Sequence, residues 1–390
     1  MIGTTPEDEL RGPARRRSGR AAREPGDAVA ETKPDAAEDG WRRPVRRVLG
    51  DWRKFNPKIG VVAVVGVLLV LVAVRDHGLI ALVAALAVVQ GLMVAAPLQA
   101  PARVRALVAF ALLGGVVTAL GLWVGHQHAP TTVVLVAVAF AAGLTTAVGP
   151  VTSRVSTSVG IWFLTMVFYA RRTQDMPRVT LAFVCGVAAV ALLVWLLPRV
   201  RGSGPALPSG DESVPHGRPA WQDAVRERGA LRFAAVLAAS AGLALTLGWL
   251  WFPDHPHWAA ATLLLLLRPS PGHSLQASLQ RMGGTLVGGA LAFWVVSEAR
   301  EPRVLLAMLA AAAFLTAATA GVGQTAFSVF FTFLLLTIIA LNGGDSSGTA
   351  IERVEEVALG AAIAIAATAF LQVLPNLPGA LPDPETMPIG

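Results

Sequence analysis

Three arginines in the second half of the chain, Arg268, Arg281 and Arg353, lie at the edges of long apolar segments and are therefore expected close to helix ends. A guanidinium group beside hydrocarbon is costly unless it reaches the lipid headgroups or binds an anion. Its planar fork of N–H donors can hold a carboxylate through two parallel hydrogen bonds. The three arginines therefore indicate a site for an organic anion. The alternative for each arginine is that its side chain extends to the lipid headgroups and only helps to fix the orientation of the helix in the membrane.

Titratable side chains that could carry protons lie near the same segments, namely Glu355, Glu356, His255 and His257. A group that changes its charge inside a membrane could carry protons, and Glu356 is the preferred candidate. The alternative is that the two glutamates stabilise the N-terminus of the last helix. A His-x-His pattern without cysteine or carboxylate support is a weak metal signal, so we predict no metal site.

Long apolar segments must position these residues. The chain of 390 residues is 54% hydrophobic and 15% charged, with a mean hydropathy of +0.59. A bilayer core needs about 20 apolar residues as helix. We therefore predict an all-α integral membrane protein with about 12 transmembrane helices. The segments are 59–74, 79–96, 106–125, 131–149, 155–170, 179–197, 233–252, 258–267, 282–296, 304–322, 325–341 and 357–374.

A polar, proline-rich stretch separates the segments into two groups of six. The predicted organisation is a disordered basic tail and juxtamembrane segment (1–58), a first membrane half (59–197), a cytosolic linker (198–232), a second membrane half (233–375) and a short tail (376–390). In both halves an arginine-bearing turn precedes a glycine-rich helix. Because each half begins on the same side, we predict two parallel six-helix repeats, with any pathway at their interface.

The distribution of Lys and Arg predicts the orientation. With the N-terminus inside, the predicted inner loops hold more than twice as many basic residues as the outer ones, although the outer loop 170–178 holds three arginines. Such an excess is typical of the cytosolic side. The first residues lack the apolar stretch of a secretory signal. The sequence thus predicts a multi-pass protein of the cytoplasmic membrane with a cytosolic N-terminus.

The segment 258–267 is too short to cross a bilayer, since ten helical residues span about 15 Å. Either the helix extends at both ends, through His255, Pro256 and His257 and to Arg268, or it is a broken helix of the kind that lines transport sites. Pro269 and Pro271 interrupt the chain next, and free backbone groups there need water or protein partners. We predict a polar cavity at this point.

The same segment opens a longer motif of a Trp, a Thr, an Arg-Pro turn and then Arg-x-x-Gly-Thr-x-x-Gly, followed later by an Arg seven residues before a Gly in the last helix. It comprises Trp258, Thr262, Arg268, Pro269, Gly272, Ser274, Arg281, Gly284, Thr285, Gly288, Arg353 and Gly360. This pattern resembles the fusaric acid resistance and aromatic acid exporter proteins, over residues of about 230–375. The glycines themselves predict small-residue helix packing, with direct ligand contact as the alternative.

The resemblance implies membrane export, commonly of aromatic carboxylates and driven by the proton gradient, with the motif residues in the substrate site or pathway. Two rivals remain open. One is a passive organic-anion channel, since the plant aluminium-activated malate transporters look similar to this family. The other is a membrane scaffold or envelope-assembly factor that transports nothing.

Enzymatic and nucleic-acid functions find no support in the sequence. It contains no phosphate-binding loop, no Gly-x-Ser-x-Gly elbow, no His-Glu-x-x-His and no paired cysteine ligands. We therefore expect no enzyme activity, no cofactor and no nucleic-acid partner. The expected partners are a small organic anion, the lipid bilayer and, for a homo-oligomer, further copies of the chain.

Overall fold

The computed structural model describes residues 51–73, 78–96, 98, 100–170, 173, 175–196, 222, 226–269, 271–299, 301–341 and 346–373. This described part forms twelve α-helices and no strand, as the sequence predicts. The helices are α1 (Pro57–Ala73), α2 (Gly78–Ala95), α3 (Ala100–Val124), α4 (His128–Val148), α5 (Pro150–Ala170), α6 (Met176–Leu196), α7 (Arg228–Trp251), α8 (His257–Leu266), α9 (Pro271–Glu298), α10 (Pro302–Thr319), α11 (Gln324–Leu341) and α12 (Ser346–Val373).

Nine helices in the described ranges are long and apolar enough to cross a bilayer, and α1 and α8 are shorter apolar helices. The chain is therefore a multi-pass membrane protein. The predicted tails at 1–50 and 376–390, and most of the predicted linker, lie outside the described residues.

Helices α9 and α12 begin eleven residues before the apolar segments that predicted them. Helix α9 begins at Pro271 and α12 at Ser346, so their first turns are polar. A helix needs only its backbone hydrogen bonds, and a charged residue stops an apolar run without stopping the helix. Consequently Arg281 and Arg353 lie inside helices, and the expectation that they lie close to helix ends is wrong.

Helix α8 is short, as predicted, with ten residues from His257 to Leu266. It does not continue to Arg268, so of the proposed extensions only His257 is helical. Leu267 takes up an extended conformation, and the residue before Pro269 is disfavoured in helix. The helix therefore ends at a depth where other helices of the bundle continue.

The helices of the two halves pair in a similar way. Within α1–α6 the packed pairs include α1·α2, α1·α6, α2·α3, α2·α6, α3·α5, α3·α6 and α4·α5, and within α7–α12 they include α7·α8, α7·α12, α8·α9, α8·α12, α9·α11, α9·α12 and α10·α11. The halves contact each other mainly through α4 with α7, α1 with α10 and α5 with α8.

Glycines allow the closest helix contacts, and these also occur at corresponding places in the two halves. A side-chain carbon at any of them would meet a backbone carbonyl oxygen of the neighbouring helix. Two such contacts correspond between α3·α5 and α9·α11, namely Gly121 with the Phe163 carbonyl and Gly284 with the Thr325 carbonyl. Two more correspond between α2·α6 and α8·α12, namely Gly186 with the Ala84 carbonyl and Gly360 with the Ala259 carbonyl. Helix packing is thus the role of Gly284 and Gly360 in the fold.

The segment before α1 is attached to the second half. The Asp51 amide donates to the Val322 carbonyl at 2.8 Å, and the Asn56 amide donates to the Ala318 carbonyl at 3.0 Å. The Phe55 ring lies edge-on to the Phe314 ring. The described end of the predicted juxtamembrane segment therefore packs on the C-terminal end of α10.

Candidate functional site

Three charged side chains are buried inside the second half, on α9 and α12. The exposed fraction is 1% for Arg281, 2% for Arg353 and 0% for Glu356. The charges of Arg281 and Arg353 act on each other, and Arg353 also interacts with Glu356. Two positive charges and one ionised carboxylate would leave a net positive charge in the interior.

Many polar atoms of this group are unsatisfied. Within the described residues, Nε and Nη1 of both arginines and both carboxylate oxygens of Glu356 have no hydrogen-bond partner. The same holds for the hydroxyl oxygens of Thr262, Thr285 and Ser328. Most buried polar groups in proteins are hydrogen-bonded, and an unpaired one is destabilising. This arrangement indicates a place that water or a polar ligand fills. We call Arg281, Arg353, Glu356, Thr262, Thr285 and Ser328 the buried cluster.

Helical spacing explains why these residues converge. Positions three, four and seven apart share one face of a helix. Arg281, Gly284, Thr285 and Gly288 form such a face on α9, and Gly284 and Gly288 bring it against the backbone of α11. Arg353, Glu356 and Gly360 form the corresponding face on α12. Gly360 packs against α8 beside Thr262.

An aromatic stack lies beside the buried cluster. The Arg353 guanidinium carbon is 4.5 Å from the centre of the Trp258 ring, a cation–π contact. The Trp258 ring stacks on His255 with centroids 4.6 Å apart, and His255 stacks on Phe168 of α5 at 5.7 Å. Nδ1 of His255 lies 3.0 Å from a carboxylate oxygen of Glu352. This stack separates the cluster from the end of the bundle at which α8 begins.

Arg268 and Pro269 lie elsewhere, at the other end of α8. They line a cavity of about 250 Å³ between α4, α5, α7 and α8, at the point where α8 ends. The surrounding protein partly desolvates Arg268 and lowers the pKa of its guanidinium from the ordinary value, but an arginine remains protonated at physiological pH. The broken-helix alternative predicted a cavity here.

The structure brings together six predicted residues around the buried cluster: Trp258, Thr262, Arg281, Thr285, Arg353 and Glu356. Gly284, Gly288 and Gly360 pack the helices around it. His255 and His257 are buried in the adjacent stack, whereas Glu355 is exposed. Gly272 and Ser274 lie in the first turns of α9. The predicted site is therefore divided into a buried cluster and a separate cavity.

Sequence reasoning missed several neighbours of the cluster. Ser328 and Thr332 are buried on one face of α11, and Glu352 and Phe168 contact His255. Hydroxyl residues spaced three and four apart within an otherwise apolar helix were a readable signal for α11. Nothing in the sequence could pair Phe168 of α5 with α8. In the described ranges, no group of three or more His, Cys, Asp or Glu residues could hold a metal ion.

Comparison with protein families confirms the resemblance. Residues 227–367 match the family described as fusaric acid resistance protein-like. The match spans α7 to α11 and most of α12, and so includes the whole buried cluster. No curated protein and no solved structure matches the chain. At the level of the family, the match indicates a membrane transporter or exporter.

Proposed function

We propose that this chain exports small organic anions, most of all aromatic carboxylates, across the cytoplasmic membrane, driven by the proton gradient and with its N-terminus in the cytosol. The observation that carries the proposal is the buried cluster. It offers unpaired guanidinium donors and hydroxyls in a membrane-spanning interior, within the part of the chain that matches the family. A carboxylate would satisfy these donors and neutralise the excess positive charge.

Burial of the cluster favours a carrier over a channel. Arg281, Arg353 and Glu356 are almost fully covered, whereas an open pore would expose such residues to water along its length. A carrier instead holds its site closed and opens it to one side at a time. The aromatic stack of Trp258 and His255 is the proposed barrier on the outer side.

Glu356 is the proposed proton carrier. It is the buried carboxylate of the cluster, and neither of its oxygens has a partner among the described residues. A proton on Glu356 would leave both arginines free to hold an anion, and its loss would compete with the anion for them. Occupancy of the site by the anion would therefore depend on the protonation state of Glu356. Exposed Glu355 is the less suitable candidate.

We further propose that the two halves are parallel six-helix repeats. The corresponding helix pairs and the matching glycine contacts support this. Aligning Gly121 with Gly284 puts Thr118 at the place of Arg281. Aligning Gly186 with Gly360 puts Val179 and Ala182 at the places of Arg353 and Glu356.

In the first half these positions are internally satisfied. The Thr118 hydroxyl accepts a hydrogen bond from Nε1 of Trp162 at 2.8 Å and donates to the Gly114 carbonyl. Val179 and Ala182 are apolar and buried. Among the described residues, the positions of Arg281, Arg353 and Glu356 thus carry charge in the second half, whereas their counterparts in the first half are uncharged. On this proposal the anion site belongs to one repeat, and the other serves as its support.

Vesicle transport tests the proposal. Inverted vesicles containing the purified protein should accumulate radiolabelled benzoate when a proton gradient is imposed. Arg281→Gln should lower kcat/KM by roughly 10- to 150-fold, the effect of losing one charge-assisted hydrogen bond. Glu356→Gln should abolish the dependence on the gradient while leaving downhill exchange. Arg303→Gln, an exposed arginine on α10, is the matched control and should behave as the original protein.

The outcomes separate the rival functions. If flux through the original protein is only downhill and does not depend on the proton gradient, the protein is a channel and not a carrier. No flux across a panel of organic anions would favour the scaffold. Unchanged flux in a correctly folded Arg281→Gln protein would remove the buried cluster from the transport site.

A further inference from the structure

The cavity at the end of α8 is a second feature suited to an anion, and it is distinct from the buried cluster. Residues of α4, α5, α7 and α8 line it, so it lies between the two halves. The cluster lies on α8, α9, α11 and α12, inside the second half. Helix α8 itself separates the two, because Leu264 and Leu267 border the cavity whereas Thr262 packs towards Gly360 of α12.

The cavity has two chemically different walls. One is apolar and buried, and it consists of Phe233, Leu237, Leu264 and Leu267. The other is polar, and it consists of Arg268, Ser153, Thr157 and Thr146. The Thr146 hydroxyl already donates to the Gly143 carbonyl at 2.7 Å. Ser153 and Thr157 are therefore the hydroxyls best placed to donate to a ligand.

Positive charge is concentrated at the polar wall. Arg268 borders the cavity, and its charge acts on nearby Arg154 of α5. Pro150, the first residue of α5, also lines the cavity, and the N-terminus of a helix carries a partial positive charge. A carboxylate near Arg268 would be held by the guanidinium and attracted by these other charges.

The cavity volume limits the ligand. Pockets for drug-sized molecules have volumes of about 300–1,000 Å³, and this cavity has about 250 Å³. An apolar wall opposite a cationic wall fits an amphipathic anion, with a ring on the leucines and phenylalanine and a carboxylate on Arg268. A single aromatic ring with its carboxylate fits this space.

We infer that this cavity is a loading site for single-ring aromatic carboxylates, from which the anion passes the end of α8 to the buried cluster. The inference rests on the proposed function for the direction of transport, but binding to the cavity does not depend on it. The cavity lies at the end of the bundle where α4 ends, α5 begins and α7 begins, the side predicted to face the cytosol. An exporter would take up its substrate there.

Photolabelling with 4-azidobenzoate tests the inference on the purified full-length protein, with the labelled peptides located by mass spectrometry. We expect labels on the first turns of α5 and α7 beside Ser153, Phe233 and Leu237. Excess benzoate should suppress them. Labels confined to peptides of α9 and α12, or labels that benzoate leaves unchanged, would overturn the inference.

Binding of radiolabelled benzoate to variants supplies the second measurement. Arg281→Gln should keep benzoate binding at the cavity with Kd changed less than about threefold, and adding Arg268→Gln should raise Kd about tenfold or more. Arg228→Gln, an exposed arginine at the start of α7, is the matched control and should not change Kd. Equal Kd values for Arg268→Gln and Arg228→Gln, each in the Arg281→Gln protein, would contradict the inference.

The two proposals fail in different ways. If the cavity is labelled and Arg268→Gln weakens binding while the original protein shows no benzoate flux, the loading site stands and the export function fails. If flux depends on Arg281 while the cavity takes no label, the export function stands and the loading site fails.

Discussion

Replacing Gly284 by alanine tests whether this motif glycine packs helices or contacts the ligand. A Cβ atom at Gly284 would lie 2.5 Å from the Thr325 carbonyl oxygen and 2.7 Å from Cβ of Ser328. Carbon and oxygen atoms of neighbouring segments normally stay about 3.3 Å apart or more. The obstacle is backbone, which cannot rotate away as a side chain can. Helices α9 and α11 would therefore have to separate by roughly 0.8 Å to restore that spacing.

The adjacent Gly283 gives a matched control, because a Cβ there would have nothing within 4 Å. Both substitutions gain the same helix propensity, about 1 kcal/mol for Gly to Ala. The difference between the variants therefore isolates the overpacking, which typically costs about 1–3 kcal/mol. For 390 residues the unfolding entropy is about 0.8 kcal/mol/K, so Gly284→Ala should unfold about 1–4 °C below Gly283→Ala.

Thermal unfolding of both variants in detergent, followed by tryptophan fluorescence, measures this difference. Transport should follow stability, because Arg281 lies one turn before Gly284 on α9 and moves with that helix. Equal unfolding temperatures for the two variants would refute the packing argument. Gly284→Ala with the stability of Gly283→Ala but without anion binding would instead place this glycine against the ligand.

Two further changes test contacts elsewhere in the bundle. Thr118→Val should destabilise the protein by about 1–3 kcal/mol, because it leaves the buried Trp162 indole N–H unpaired. The double variant Thr118→Val with Trp162→Phe should recover part of this lost stability. A thermal melt in which the double variant is no more stable than Thr118→Val would contradict the reasoning. Anion transport should be fastest with Trp258, slower in Trp258→Phe and slowest in Trp258→Leu, because the contact with Arg353 weakens in that order by up to about 2 kcal/mol. Trp123→Leu, at a 69% exposed position, is the control. A flux assay in which Trp258→Leu transports as fast as the original protein would refute the role of the ring.

Apolar segments predicted the twelve helices and their order, because a membrane-crossing helix must be apolar for most of its length. Nine of the twelve described helices are long and apolar enough to cross a bilayer. The same criterion failed at the polar first turns of α9 and α12, since it measures side-chain polarity and a helix depends on its backbone. For that reason Arg281 and Arg353 were expected at helix ends. Their true positions, eleventh in α9 and eighth in α12, follow from the starts at Pro271 and Ser346.

The sequence could predict which site residues share a face of one helix, but it could not predict which residues of different helices contact each other. Arg353, Glu356 and Gly360 follow helical spacing, so the sequence alone puts them on one face. The contacts that a residue makes with a neighbouring helix depend on which helices pair and in what register. Ser328 beside Gly284, Glu352 beside His255 and Phe168 beside His255 are such cases. No local pattern encodes these contacts.

The attachment of the N-terminal segment to α10 has a consequence for the order in which the protein is made. Helix α1 leaves the ribosome before the other described helices, but Gly60 packs on Phe314, and the amides of Asp51 and Asn56 bond to carbonyls at or just after the end of α10. At a synthesis rate of about 5–20 residues per second, those partners are made roughly 10–50 s later. Until then one face of α1 stays open to lipid or to the insertion machinery. Among the described helices, the earliest one made is thus among the last to reach its final contacts, and a nascent chain halted at the linker would still lack them.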